Sequence, residues 1–252
     1  MPTRDTAWPA GTPCWIDYGA ADIEAAKALY AEILGWSYEG GDPEYGGYLN
    51  CQTKGLSAAG MAPQQDPDDP PRWTTYFATD DADATASRIT EAGGTVLVQP
   101  MDVGPMGRMA IALDLQGSPF GIWQAGQHTG VNIYNEPGSL VWNDASVEDV
   151  PAAKAFYSKV FDFRFDEMEG MDGYNTFTTG KDPLGGLGGR RPGTAKGWTT
   201  CFSVTSTDAA VEAVTKAGGK VTTEAQDTSF GRFAVLQDPW GAAFSVMQAP
   251  AS

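Results

Sequence analysis

Along residues 22–36, DIEAAKALYAEILGW, apolar Ile23, Ala26, Tyr30, Ile33 and Leu34 recur at intervals of three and four. One face of an α-helix presents such a stripe to a core. Asp22, just in front, offers the side-chain acceptor that a helix N-terminus needs. Before it, PCWIDYGA (13–20) alternates as a half-buried strand does. After it, GGYLNCQ (46–52) and GLSAAGMA (55–62) read as strands, and PQQDPDDPPR (63–72) breaks the pattern. Then come a strand, WTTYFAT (73–79), a helix ending at Gly93–Gly94, and strands TVLVQP, MAIALD and PFGIWQ. Paired glycines suit the left-handed closure of a helix. The order is β-α-β-β-β, followed by the same again, which predicts helices on the outer face of a curved sheet.

The whole plan is then repeated. DIEAAKALYAEILGW (22–36) matches DVPAAKAFYSKVFDF (149–163). RWTTYFATDDADATASRITEAGGTV (72–96) matches GWTTCFSVTSTDAAVEAVTKAGGKV (197–221), and GRMAIALDLQGSPFGIWQ (107–124) matches GRFAVLQDPWGAAFSVMQ (231–248). Three segments in the same order at nearly constant separation mark a tandem repeat. The predicted organisation is an N-terminal extension over 1–10, a domain over 11–126, a linker over 127–138 and a second domain over 139–249. The fold class is α+β. The two copies should pack about a pseudo-twofold axis within one chain.

Composition narrows the function. Lys and Arg number 16 against 32 Asp and Glu, a formal charge of −16. Such a chain is repelled by phosphate backbones and anionic lipid, so neither nucleic acid nor membrane is an expected partner. Cys14, Cys51 and Cys201 are odd in number and widely spaced, which suits buried free thiols in the reducing cytoplasm better than disulfides or a zinc site. No run approaches the roughly 18 apolar residues of a membrane span. The single histidine, His128, lies in AGQHTGVNIYNEPGS, which reads as a solvated linker and removes triads and His-rich metal sites within one chain.

The motifs D-x-x-A-A-K-A-[LF]-Y, W-T-T-x-F, A-G-G and G-R-[MF]-A…D-x-x-G-x-x-F occur in both copies. Together they resemble the vicinal oxygen chelate superfamily of glyoxalase I, fosfomycin and bleomycin resistance proteins and extradiol dioxygenases. The similarity is greatest to its two-domain actinobacterial "hydroxylase" or glyoxalase-like group. The resemblance implies tandem glyoxalase-like domains, each built from two βαβββ modules that curve into a cup. In metal-using members His or Glu side chains point into that cup. Here the matching first-strand positions carry Trp15 and Trp142. Those on the strand before the second helix carry Thr74 and Thr199, and those on the last strand carry Gly121 and Ser245. Indole, glycine and a lone hydroxyl do not replace imidazole and carboxylate. No metal ligand and no cofactor are therefore expected.

Side chains two apart on a strand share a face. Asp17 then joins Trp15, Asp144 joins Trp142, Tyr76 joins Thr74, Cys201 joins Thr199, Trp123 joins Gly121 and Met247 joins Ser245. Each cup would have an aromatic wall, small residues and one carboxylate, which suits a planar, largely apolar ligand. The tryptophans either wall such a ligand or fill the space a metal would have left. Asp17 and Asp144 are candidate general acids or bases, or else acceptors for backbone and arginine donors. Arg108 and Arg232 either anchor an anionic ligand group or form surface ion pairs. GGLGGRRPG (185–193) lacks a phosphate-loop pattern and reads as a loop over the second cup. DPDD (66–69) reads as solvated.

Three functions fit: a metal-independent binder of an aromatic or largely apolar small molecule, a metal-independent enzyme using Asp17 or Asp144 for proton transfer, or an interaction protein with filled cups. The assembly expected is a monomer or homodimer.

Overall fold

The computed structural model describes residues 1–66, 68–190 and 194–250. The first copy comprises β1 (Pro13–Ala20), α1 (Ile23–Leu34), β2 (Ser37–Gly40), β3 (Leu49–Thr53), β4 (Leu56–Pro63), β5 (Arg72–Ala78), α2 (Ala82–Glu91), β6 (Thr95–Asp102), β7 (Gly107–Leu113) and β8 (Pro119–Ala125). The second comprises β9 (Leu140–Val147), α3 (Val150–Phe161), β10 (Arg164–Glu167), β11 (Tyr174–Thr178), β12 (Gly185–Gly189), β13 (Gly197–Ser203), α4 (Thr207–Lys216), β14 (Lys220–Thr228), β15 (Gly231–Gln237) and β16 (Ala243–Gln248).

Each copy forms its own eight-stranded sheet, in the orders β2-β3-β4-β1-β5-β8-β7-β6 and β10-β11-β12-β9-β13-β16-β15-β14. The two central strands of each sheet run antiparallel, and each pairs outward with a parallel neighbour, β1 with β4 and β5 with β8. This is the paired-module α+β architecture that the repeated pattern predicts. Helix α1 starts at Asp22, whose carboxylate accepts from the Ala25 amide, and closes at Gly35 in the left-handed region. Asp149 caps α3 in the same way.

The helices pair across the two copies, each keeping one exposed face. Helix α1 packs on α4 and α2 on α3, so each core is built from both copies. One core joins Ile16, Tyr30, Trp36 and Trp73 of the first copy to Phe202, Val214 and Phe244 of the second. The other joins Phe77, Ile89 and Phe120 to Phe156, Tyr157 and Trp198. Matching latches cross the junction. Tyr30 donates to Asp238 Oδ2 at 3.0 Å, and Tyr157 donates to Asp114 Oδ2 at 3.0 Å. Trp73 and Trp198 donate their indole N–H to those same tyrosine oxygens. At the centre, Asn143 Oδ1 accepts from Thr75 and from its repeat partner Thr200, at 3.1 and 3.2 Å. The outer faces of the two sheets are thus buried against each other, and both concave faces are left for other use. Cys14, Cys51 and Cys201 are buried free thiols.

One segment differs from its expected form. Residues 185–189 of the glycine-rich stretch are not a loop but strand β12, between β11 and β9. Residues 191–193 of that stretch lie outside the described residues.

Candidate functional site

Strand alternation decides what enters each cup. In β1, Ile16 and Tyr18 join the shared core, which turns Trp15 and Asp17 to the concave side. The register places Trp15 opposite Tyr76, Asp17 opposite Thr74, and Gly121 beside Tyr76. Trp123 lies two residues further along that face. In the second copy Trp142 lies opposite Cys201, Asp144 opposite Thr199, Ser245 beside Cys201 and Met247 beside Ser203. Twelve of the residues expected at the cups are therefore assembled there, six in each.

Arg108 and Arg232 are not. Arg108 alternates with Ala110 and Ala112, which pack toward the helices. Its guanidinium grips Asp83 of α2 through two bonds of 3.0 Å and Asp102 through one of 2.9 Å. Arg232 binds Asp208 and Asp227 in the same manner. Both are surface ion-pair residues on the side away from the cups. These pairs hold Asp83 and Asp208 below the usual carboxylate range.

The two cups are filled differently. In the first, Trp15, Tyr76 and Trp123 are only 4, 6 and 7 % exposed and form one apolar cluster with Cys14, Ala78 and Val131. His128 closes this end. Its ring meets that of Trp15 edge to face at 4.2 Å and that of Trp123 at 5.4 Å, and its carbonyl accepts from Trp123 Nε1 at 2.9 Å. Burial pushes the His128 pKa down to about 4, so the imidazole packs as a neutral group. His128 is thus a plug, not the solvated linker residue expected. The N-terminal segment straps over it: Trp8 Nε1 donates to Val131 O at 3.2 Å, and Thr3 bridges Ile133. A cavity of about 170 Å³ remains between strap and cup, bounded by Trp8, Cys14, Ala78, Trp123 and Thr129 among others.

In the second cup the positions of Tyr76 and Trp123 are taken by Cys201 and Met247, and that of Ala62 by Gly188. Trp142 and Met247 are half-buried where their counterparts Trp15 and Trp123 are sealed. Two rings that fill the first cup are absent from the second.

The sequence reading missed one residue per cup. Tyr48 and Tyr174 occupy matching places on β3's approach and on β11. Trp15 Nε1 donates to the Tyr48 hydroxyl at 2.8 Å, and Trp142 Nε1 donates to the Tyr174 hydroxyl at 3.0 Å. Tyr174 in turn donates to Asp144 Oδ1, which also accepts from Trp142 Nε1 at 3.1 Å. Burial, then the charge of Asp144, raises the Tyr174 pKa, so its proton stays on oxygen. The signal was present in the G-Y pairs at 47–48 and 173–174. In the first cup, burial pushes the Asp17 pKa up to about 7, against an opposing hydrogen bond with Tyr76. Asp17 keeps some exposed surface, but the surrounding cup removes most of its water.

A divalent metal does not fit these positions. Among the described residues no three His, Cys, Asp or Glu side chains come together. A Cβ on Gly121 would lie 2.1 Å from Tyr76 Cδ1, so the Tyr76 ring fills the path a glutamate there would take.

The profile of the Glyoxalase/Bleomycin resistance protein/Dioxygenase superfamily matches residues 15–123 and again 139–246. A putative glyoxylase, CFP32, of Mycobacterium tuberculosis is 37 % identical, with 98 % of each chain covered. The anthracycline biosynthesis protein DnrV of Streptomyces peucetius is 35 % identical, over 96 % of this chain and 95 % of its own. Among solved structures, the Mn(II)-bound glyoxalase from Novosphingobium aromaticivorans superposes with a TM-score of 0.67 at 14 % identity, covering 95 % of this chain and 82 % of its own. The 2,2',3-trihydroxybiphenyl 1,2-dioxygenase of Sphingomonas wittichii gives 0.66 at 14 % identity, covering 96 % and 91 %. At that identity the two structures speak for the fold alone.

Proposed function

The chain belongs to the Glyoxalase/Bleomycin resistance protein/Dioxygenase superfamily, and from that premise we propose that it is a metal-independent binder of a planar aromatic small molecule, held in the second cup. One observation carries the reading: where the first cup is filled by Tyr76, Trp123 and the His128 plug, the second has Cys201 and Met247, with Trp142 left half-buried. A half-buried indole beside small and flexible side chains is a surface for stacking a flat ligand. The relative named for anthracycline biosynthesis supports a polycyclic aromatic as the ligand class. Independence from metal is supported by the donor set: the one imidazole, His128, packs as a neutral group against Trp15 and Trp123, and each cup's single carboxylate is already engaged by its neighbours.

The first cup, on this reading, is a structural core. No helix among the described residues is long and apolar enough to cross a membrane. The charge of −16 opposes nucleic acid as a partner, and the buried free thiols fit the cytoplasm. The small molecule is the partner proposed, for a monomer or homodimer.

Calorimetric titration with 2-naphthol, a flat two-ring probe, tests the reading. Binding should be lost in the double variant Cys201→Tyr/Met247→Trp, which gives the second cup the rings of the first. It should persist in Tyr76→Cys.

A second reading rests on Asp17. A carboxylate with a pKa of about 7 is suited to proton transfer at neutral pH. Asp17, or Asp144 in the second cup, would then serve a metal-independent isomerase, lyase, cyclase or hydroxylase-type tailoring reaction. Loss of turnover with binding kept in Asp17→Asn or Asp144→Asn would favour it.

A further inference from the structure

The two cups differ at several lining positions, among them Tyr76/Cys201, Gly121/Ser245 and Trp123/Met247, yet each keeps one construction: a tryptophan and an aspartate on the first strand, a tyrosine reaching across, and a glycine beneath its hydroxyl. These are Trp15, Asp17, Tyr48 and Gly60 in the first cup, and Trp142, Asp144, Tyr174 and Gly186 in the second. A Cβ on Gly60 would lie 1.8 Å from the Tyr48 hydroxyl, and a Cβ on Gly186 would lie 1.8 Å from that of Tyr174. Neither glycine has a left-handed backbone. It is the tyrosine oxygen, not the turn of the chain, that demands glycine at both places.

The oxygen so placed in the second cup has a defined hydrogen-bonding state. Its one proton goes to Asp144 Oδ1. It accepts the indole N–H of Trp142 at 3.0 Å. A phenolic oxygen both donates and accepts, and further acceptor capacity remains after these two bonds. A carboxylate drawing on the O–H proton strengthens the oxygen as an acceptor, because linked hydrogen bonds polarise one another. With its donor spent, Tyr174 can meet a ligand only as an acceptor. Tyr174 is half-buried, with its hydroxyl against the wall formed by Trp142, so a ring stacked on that indole would bring its own edge to this oxygen.

This step rests on the reading that the second cup holds an aromatic ligand. We infer that Tyr174 is its specificity-determining residue, and that the ligand is a hydroxylated aromatic whose phenolic O–H donates to the Tyr174 oxygen. An aryl ether or an unsubstituted ring offers no such donor and leaves a polarised oxygen unmatched in a partly dry cup, which is unfavourable. Tyr48 is assigned no such part, because Tyr76, Trp123 and His128 pack together with Trp15 in the first cup.

The test is a matched pair of probes, 2-naphthol and 2-methoxynaphthalene, titrated calorimetrically into the full chain. The naphthol is expected to bind about tenfold more tightly than its ether, the range of one well-made hydrogen bond to a charge-assisted group. Tyr174→Phe should bring the ratio close to one. Gly186→Ala, which keeps the tyrosine but displaces its oxygen, should do the same. Tyr48→Phe should leave the ratio intact. Equal binding of both probes to the unmodified chain, or a ratio that survives both Tyr174→Phe and Gly186→Ala, would overturn the inference while leaving aromatic binding standing. Failure of both probes to bind the unmodified chain would overturn the binding reading and this inference with it.

Discussion

Trp15 and His128 meet edge to face with ring centroids 4.2 Å apart, and this contact closes the first cup with a residue from the segment that joins the two copies. The imidazole is neutral there, with its pKa pushed down to about 4 by burial. The unfolded chain, with an ordinary histidine near pH 6.5, takes up its proton first as pH falls. Where the unfolded state binds more protons, stability rises with pH. The contribution of His128 is therefore complete above about pH 6.5 and is lost as pH falls toward 4. Urea unfolding at pH 7.5 and 5 should show a smaller loss of stability in His128→Gln than in the unmodified chain.

Asp17 works in the opposite direction. Its folded pKa, about 7, lies above the ordinary 3.8, so the native state binds more protons than the unfolded chain between those values. Stability from this group falls as pH rises through the window, and the full penalty is present above pH 7. Asp17→Asn should raise the urea midpoint at pH 8 and do so less at pH 4.5. An equal effect at both pH values would show that Asp17 titrates normally.

The latches between the copies are unequal in a way the unfolding free energy can read. Asp238 Oδ2 accepts from both Tyr18, at 2.6 Å, and Tyr30, at 3.0 Å. Asp114 Oδ2 accepts from Tyr157 at 3.0 Å, and the position matching Tyr18 is Ala145. Removing the Tyr157 hydroxyl takes the tyrosine donor from a buried carboxylate. Removing that of Tyr30 leaves Tyr18 in place. Tyr157→Phe is expected to destabilise by about 1–3 kcal/mol, and Tyr30→Phe by less, as measured by chemical denaturation.

Restoring a carboxylate at the last-strand position should not restore metal binding in the first cup. In Gly121→Glu the new Cβ would meet the Tyr76 ring at 2.1 Å. The ring would have to leave a cluster it shares with Trp15 and Trp123. Lower thermal stability and no gain in manganese or zinc retention by elemental analysis are expected.

The sequence was legible wherever a period or a repeat carried the information. The three matched segments specify two copies, and strand alternation from Trp15 places Asp17, Thr74 and Tyr76 on one face. The same alternation would have kept Arg108 out of the cup, since Ala110 and Ala112 share its face and belong to a core. Tyr48 and Tyr174 were legible in principle, through G-Y pairs in both copies. They were missed because their role depends on reaching across two strands to a tryptophan. Strand β12 was hidden because glycine carries no strand propensity; the strand is glycine-rich because rings and a hydroxyl lie against it, Phe177 at Gly185 and Tyr174 at Gly186. The His128 plug follows from the path of the linker, which no local pattern encodes.

The most direct test of metal-independent binding in the second cup is one calorimetric comparison: 2-naphthol titrated into the full chain after exhaustive treatment with EDTA, and again with excess manganese. Metal-independent stacking on Trp142 predicts one equivalent bound with the same affinity in both. Binding that vanishes with EDTA and returns with manganese would contradict it and put a metal back at the centre of the cup.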